Sequence, residues 1–305
     1  MSNPALKRLG FSDNDRVFIF HADDIGLNYA SVEAYRDLLA HSPLSSAAVM
    51  TPCPWFPAAA QLFREQTAHP RLDVGIHLTL TSEWDKCRWR PISTDEPSSG
   101  LLDEEGYFPR TTAAVQANAC VEVVEKELRA QIEHAISAEI NPTHIDSHMG
   151  TLMHPNFLPI YMRLGLEYQL PAFNERLTIE RICSAGFAQS CAEQLVAKLE
   201  KVEQQGMIFF DKTYMLPLNS HQSLEARLAY ATDILNSAEP GLYYFLIHPC
   251  IDTPTLRSLA RDWEARVGDY NLFMSKQWHA AIDASGVKVI GMQALRDALR
   301  AKVGS

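Results

Sequence analysis

Arg16-Val17-Phe18-Ile19-Phe20-His21-Ala22-Asp23-Asp24-Ile25-Gly26 is the stretch on which the fold turns. Residues 16–22 form a short run rich in β-branched and aromatic side chains, cut off by an acidic pair and a glycine. A strand covered on both faces reads this way, and such strands belong to parallel sheets. The expectation is a strand over 16–22 with Asp23 and Asp24 at its C-terminal end.

Outward from this strand, the chain alternates. Helical spacing over 30–40 leads to a strand at 45–50, a helix at 55–67 and a strand at 73–78, which carries His77 near its end. A helix over 121–136 shows apolar residues at Val124, Leu128, Ile132 and Ile136, taken as one face. The stretch 142–148 is the next strand and its exit. Helices over 158–164, 188–204, 224–236, 270–284 and 294–301 then alternate with strands over 170–173, 207–210, 243–247 and 287–290. A repeated strand-then-helix order means a parallel α/β architecture. A closed or nearly closed barrel is favoured over a doubly wound sheet, because no G-x-G-x-x-G follows the first strand and the chemically interesting residues hang from several strand ends.

Residues 81–118 interrupt the alternation with Trp84, Trp89, Pro91, Pro97, Gly100, Gly106 and Pro109. Irregular stretches of this length inside a folded domain usually cover a functional site, so the reading is one domain over 1–305 with a covering insertion at about 81–118. The chain has 305 residues and a formal net charge of −10. Surplus carboxylate argues against nucleic acid and anionic membranes as partners. Neither a secretory leader nor a stretch of about 20 apolar residues is evident, which points to a cytoplasmic protein. The six cysteines are scattered without a C-x-x-C pair, as expected of buried apolar residues rather than a thiolate metal site.

Four strand ends carry Asp or His. In the Asp23-Asp24 pair one carboxylate can ligate a metal while the other faces water, although an Asp here can equally cap the next helix. His77, in Gly75-Ile76-His77-Leu78-Thr79-Leu80-Thr81, offers an imidazole on a rigid strand, the kind of ligand zinc prefers. In Thr143-His144-Ile145-Asp146-Ser147-His148, His148 at the exit is the favoured ligand, with Asp146 and His144 as supporting partners. His248, followed by Pro249, is placed to act as a general acid. Each position alone also fits core packing, but barrel interiors prefer branched apolar side chains at these levels, and four polar ends together indicate a metal site. His21 and His154 are further supporting candidates. His41, His69, His134, His221 and His279 fall in helices or loops and are read as surface.

His21-Ala22-Asp23-Asp24-Ile25-Gly26, Gly75 to Thr81, His144-Ile145-Asp146-Ser147-His148 and Leu246-Ile247-His248-Pro249 resemble, in this order, the motifs of the YdjC-like carbohydrate deacetylases, among them chitooligosaccharide deacetylases. Gly100-Leu101-Leu102-Asp103-Glu104-Glu105-Gly106-Tyr107-Phe108 is similar to the family's covering stretch. The resemblance implies a distorted (β/α) barrel and one divalent ion, Mg2+ or Zn2+, that serves hydrolysis of the N-acetyl group of an amino sugar. By motif position it implies Asp24, His77 and His148 as ligands, Asp23 as base and His248 as proton donor. One departure is Gly150, where the family usually has a second histidine two positions after the ligand. Trp84, Trp89, Tyr107 and Phe108 are candidates either to stack on a sugar, Trp89 foremost, or equally to anchor the covering segment to the barrel, and Arg266 is either a substrate binder or half of an ion pair. The expected partner is a small N-acetylated sugar, and a homodimer is compatible with the sequence. The rival readings are a metal-dependent phosphoesterase, which would need extra Arg or Lys at the site, and a sugar-binding protein without turnover.

Overall fold

In the computed structural model, which describes residues 3–219 and 223–303, the opening run becomes a ten-residue strand, β1 (Arg16–Ile25), buried along nearly its whole length. It is preceded by the single turn α1 (Ala5–Arg8) and followed by α2 (Tyr29–His41), whose first turn is capped by the Asn28 side chain accepting from the Ser31 N–H. The chain then runs through β2 (Ser46–Val49), α3 (Phe56–Glu65) and β3 (Val74–Leu78). After the covering segment come α4 (Thr112–Asn118), α5 (Val121–Ser137), β4 (Ile145–Ser147), a 3-10 segment (His148–Met153) and α6 (Leu158–Glu167). The second half holds α7 (Ile179–Ser184), α8 (Gln189–Gln204), β5 (Lys212–Met215), α9 (Leu224–Ser237), β6 (Gly241–Ile247), α10 (Pro254–Leu259), α11 (Trp263–Met274), α12 (Lys276–Ser285), β7 (Lys288–Val289) and α13 (Met292–Val303).

Every strand pairing is parallel, in the order β4-β3-β2-β1-β6-β5, with β7 also on β1. The sheet curls, and helices pack around it. Between β4 and β5 regular pairing stops, but isolated parallel bridges Ile145↔Ala172 and Glu175↔Phe210 carry the ring round. Phe173 N–H donates to the Ile145 carbonyl, and Phe210 N–H to the Asn174 carbonyl. The α/β barrel expected from the alternation is therefore present, and its distortion is concentrated on this one side.

Several boundaries differ from expectation, each for a physical reason. The strand expected at 170–173 is reduced to those bridges. The apolar run at 207–210 is buried but pairs only at Phe210, and regular pairing begins later, at Lys212 opposite Tyr243. The helix expected over 270–284 is two helices, broken where Ser275 adopts an extended backbone and caps α12 by accepting from the Trp278 N–H. Ile136 is exposed while Ala135 is buried. A strict four-residue step drifts by about 40° per repeat on a helix with 3.6 residues per turn, so by Ile136 the row has left the buried face. The covering segment is irregular as expected, apart from one 3-10 turn and α4. Among the described residues no helix is long and apolar enough to cross a membrane.

Candidate metal centre

β1 does not stop before the acidic pair. It continues through it with a break in register between Ala22 and Ile25, and Asp24 adopts a left-handed backbone with φ 63°. Only a few per cent of non-glycine residues do so, Asp among the more tolerant. Strict alternation would send consecutive side chains to opposite faces. The irregularity instead lets Asp23 and Asp24 line the same cavity, of about 660 Å³, at the C-terminal end of the strands. His77 near the end of β3, His148 just after β4 and His248 just after β6 open into it as well.

Asp24 Oδ1 lies 3.5 Å from His77 Nε2 and 3.2 Å from His148 Nδ1, and those two nitrogens are 3.2 Å apart. All three side chains are buried, and Asp24 Oδ1 has no hydrogen-bond partner. An unpartnered buried carboxylate oxygen is costly, and one anionic oxygen with two imidazole nitrogens at this spacing is the donor set of a divalent ion. The far side of each histidine is held by a carboxylate: His77 Nδ1 lies 2.5 Å from Asp146 Oδ1, and His148 Nε2 lies 3.1 Å from Glu83 Oε1. Such partners fix the ring and its tautomer and raise the basicity of the ligand. The residues present therefore fit a divalent ion. Sequence reasoning missed Glu83, two residues beyond the second motif, where nothing marked it off from other acidic residues of the cover.

Burial disfavours the charged form of Asp24, but Arg266, His148 and His77 overcome it and hold the carboxyl well below its usual range. Arg266 Nη1 donates to Asp24 Oδ2 at 2.8 Å, its Nε pairs with Asp262, and its guanidinium lies over the Trp84 ring. The ion pair, one of the two alternatives for Arg266, is present, and Arg266 also lines the cavity. Burial likewise opposes protonation of His77 and His148. Asp146 and Asp23 overcome it at His77, and Glu83 and Asp24 raise His148 to about 9.

Asp23 stands beside this set with its oxygens divided. Oδ1 is 3.0 Å from His21 Nε2, and Oδ2 is 3.8 Å from His248 Nε2. His21, entirely buried, is also 3.1 Å from Asp146 Oδ2, so one ring nitrogen stands between the carboxylate of the acidic pair and the carboxylate behind His77. Its plane is set by stacking on Tyr244 and an edge contact with His144. His144 is held by Thr143, which also bonds Asp73, and burial pushes its pKa down to about 3. Burial lowers the pKa of His248, whose backbone N–H donates to Asp269 Oδ2. Asp269 pairs with Arg227, both wholly buried, and neither was singled out from sequence.

Trp89 packs edge-on against the His148 ring, with the ring centroids 6.4 Å apart. It is only 2% exposed, its ring N–H donates to the Thr81 carbonyl, and it does not line the cavity. Phe108 is buried too, and Tyr107 carries the Arg88 guanidinium on its ring. The aromatic residue of the cover that does reach the cavity is Trp84. His154 packs against Phe157 and Phe187, away from the acidic pair. His221 lies outside the described residues.

A parallel β/α barrel with a buried carboxylate–imidazole centre at the strand C-termini defines the class. The model of the YdjC-like protein family matches residues 17–284, and the chain belongs to that family. It is 36% identical over 265 residues to a carbohydrate deacetylase of Thermus thermophilus, covering 87% of this chain and 88% of the relative. It is 40% identical over 157 residues to a carbohydrate deacetylase of Brevibacillus brevis, spanning 57% of that protein. A crystal structure from Enterococcus faecalis, described under cellobiose-phosphate cleavage, superposes with a TM-score of 0.73 at 23% identity, over 92% of this chain and 99% of that one, and supports the fold.

Proposed function

We propose that this chain removes the N-acetyl group of an amino sugar or short oligosaccharide by metal-dependent amide hydrolysis. The observation that carries the reading is the meeting, in one cavity, of the Asp24, His77 and His148 donor set with an Asp23 oxygen and a His248 nitrogen 3.8 Å apart. Family membership and the carbohydrate deacetylases among its relatives support the substrate class.

Asp24, His77 and His148 would hold one divalent ion, Mg2+ or Zn2+, which when bound polarises an amide carbonyl and makes water more acidic. Asp23 Oδ2, the oxygen nearer His248, accepts the proton of the attacking water, while Oδ1 sits 3.0 Å from His21 Nε2. His248 Nε2, next to it, delivers a proton to the nitrogen as the C–N bond breaks, so acetate and a free amine leave. An imidazole whose pKa is lowered by burial is, once protonated, a ready donor. Trp84 and the paired Arg266 wall the cavity and exclude water from one side.

A phosphoesterase would want unneutralised cations around the cavity. Arg110, Arg261 and Arg266 do line it, but they pair with Asp85, Glu105, Asp24 and Asp262. The deciding experiment measures acetate released from a panel of N-acetylated sugars, with and without chelator. In Asp23→Asn, metal content should match wild type while turnover falls at least about 10³-fold; full activity of that variant would remove Asp23 from the mechanism. Asp24→Ala or His77→Ala should lose the ion itself, read by elemental analysis.

A further inference from the structure

Beside the catalytic cavity lies a second one, of about 370 Å³, that the proposed reaction does not use. Met153 borders it at the end of the 3-10 segment, Phe173 and Asn174 from the bridged side of the barrel, Ile182 from α7, Leu195 from α8 and Thr213 from β5. Its volume is that of a small-ligand site, and its walls are mostly apolar, the polar residues being Asn174, Thr213 and the mutually paired Glu175 and Arg181.

Three observations tie it to the substrate. Phe173 belongs to the walls of both cavities, so the two adjoin at this residue. At Gly150, which lines the catalytic cavity, an added Cβ would meet only Met153 Cγ, at 3.8 Å, and Met153 borders the second cavity. Gly150 thus leaves open the side-chain space that faces Met153. The second cavity also holds unsatisfied polarity. Asn174 is 2% exposed with its Nδ2 unpartnered, and Thr213 Oγ1 has no partner either. Buried donors without partners in a pocket wall call for an explanation, and a bound group with one acceptor is such an explanation.

We propose that this second cavity is a substrate subsite for an apolar substituent, an alkyl or aryl aglycone, carried on the sugar away from its acetamido group. The inference rests on the deacetylase reading. The acetamido end must reach Asp23 and His248, so the part of the substrate that passes Gly150 and Phe173 is the part remote from the scissile bond. A second sugar ring presents hydroxyls on its rim, and six apolar residues, Met153, Phe173, Leu177, Ile182, Phe187 and Leu195, would leave most of them without partners. An apolar chain or ring bearing one acceptor toward Asn174 matches the lining.

The test compares an N-acetylated amino sugar with its octyl and 4-nitrophenyl glycosides, using wild type and the cavity-filling variants Leu195→Trp and Ala185→Trp. Binding is measured calorimetrically in the Asp23→Asn background, and turnover by acetate release in the active enzyme. The glycosides should bind wild-type protein at least 10-fold more tightly than the bare sugar. Either filling variant should erase that gain while changing kcat/KM for the bare sugar less than about twofold. Equal affinity for glycoside and bare sugar, or a gain that survives filling, overturns the subsite. If no acetate is released from any substrate yet the filling-sensitive gain remains, the deacetylase reading fails and the cavity stands. The two positions, Leu195 on α8 and Ala185 just past the end of α7, both line the second cavity, and using both guards against one variant that simply misfolds.

Discussion

At the scale of single residues, the centre depends on carboxylates standing behind imidazoles. Glu83→Gln keeps the shape but weakens the hold on His148. Loss of such a partner typically costs 10–100-fold in metal affinity, so the ion should dissociate about 10-fold more readily in competition titrations. His21 has a different task, since its one nitrogen reaches both Asp23 and Asp146. His21→Phe retains the ring that stacks on Tyr244 and loses the donor. Turnover per metal-loaded enzyme should fall about 100-fold with the bound ion retained; unchanged turnover would make His21 mere packing. The histidines also predict a proton count. In the metal-free protein His148 holds its proton up to about 9 and His77 is raised too, so binding the ion must expel protons. Apparent affinity should therefore climb as pH rises from 6 toward 9, and calorimetry in buffers of different ionisation heat should count the protons released. The proposed ligand residues stood out in the sequence because each lies at or just beyond the end of an expected strand. Glu83 was not, because a carboxylate in an irregular segment looks like any solvated acid until the fold brings it to a histidine.

At the scale of elements, β3 and β4 show how backbone and site depend on each other. A Cβ at Gly75 would clash with the His144 ring, which is wholly buried. Overpacking of this kind costs typically 1–3 kcal/mol. Gly75→Ala should thus lower the denaturation midpoint and, by moving β3, loosen the ion as well; wild-type values for both would show that His144 has room to shift. The alternation that revealed the strands works where a strand is apolar and paired along its length, as β1 and β6 are. It failed at 207–210, where an apolar run is buried by packing but paired at one residue only. Hydrophobic period reports burial, not hydrogen bonding, and cannot separate the two for short runs. The break at Ser275 was likewise hidden, because apolar residues continue on both sides of it.

At the scale of the whole molecule, the barrel order was legible but its irregular side was not, since bridges of single residues leave no periodic trace. The buried Arg227–Asp269 pair, which joins α9 to α11 and supports the backbone of His248, was equally invisible. Removing one member of a buried pair strands the other charge and commonly costs 3–5 kcal/mol. Arg227→Met should therefore destabilise by about that amount in denaturant titrations, whereas Arg227→Met with Asp269→Asn should recover part of it. The side closed only by Ile145↔Ala172 and Glu175↔Phe210 gives the ring a seam. Backbone amides along it should exchange with deuterium sooner than those of β1 and β6. The proposed reacting groups stand on or just beyond β1, β3, β4 and β6, all on the regularly stitched arc, whereas the seam borders the second cavity. Insertions or swaps in 174–188 can then reshape what the barrel admits without unstitching the arc that would grip the ion, which leaves such a scaffold free to drift in taste while holding its chemistry still.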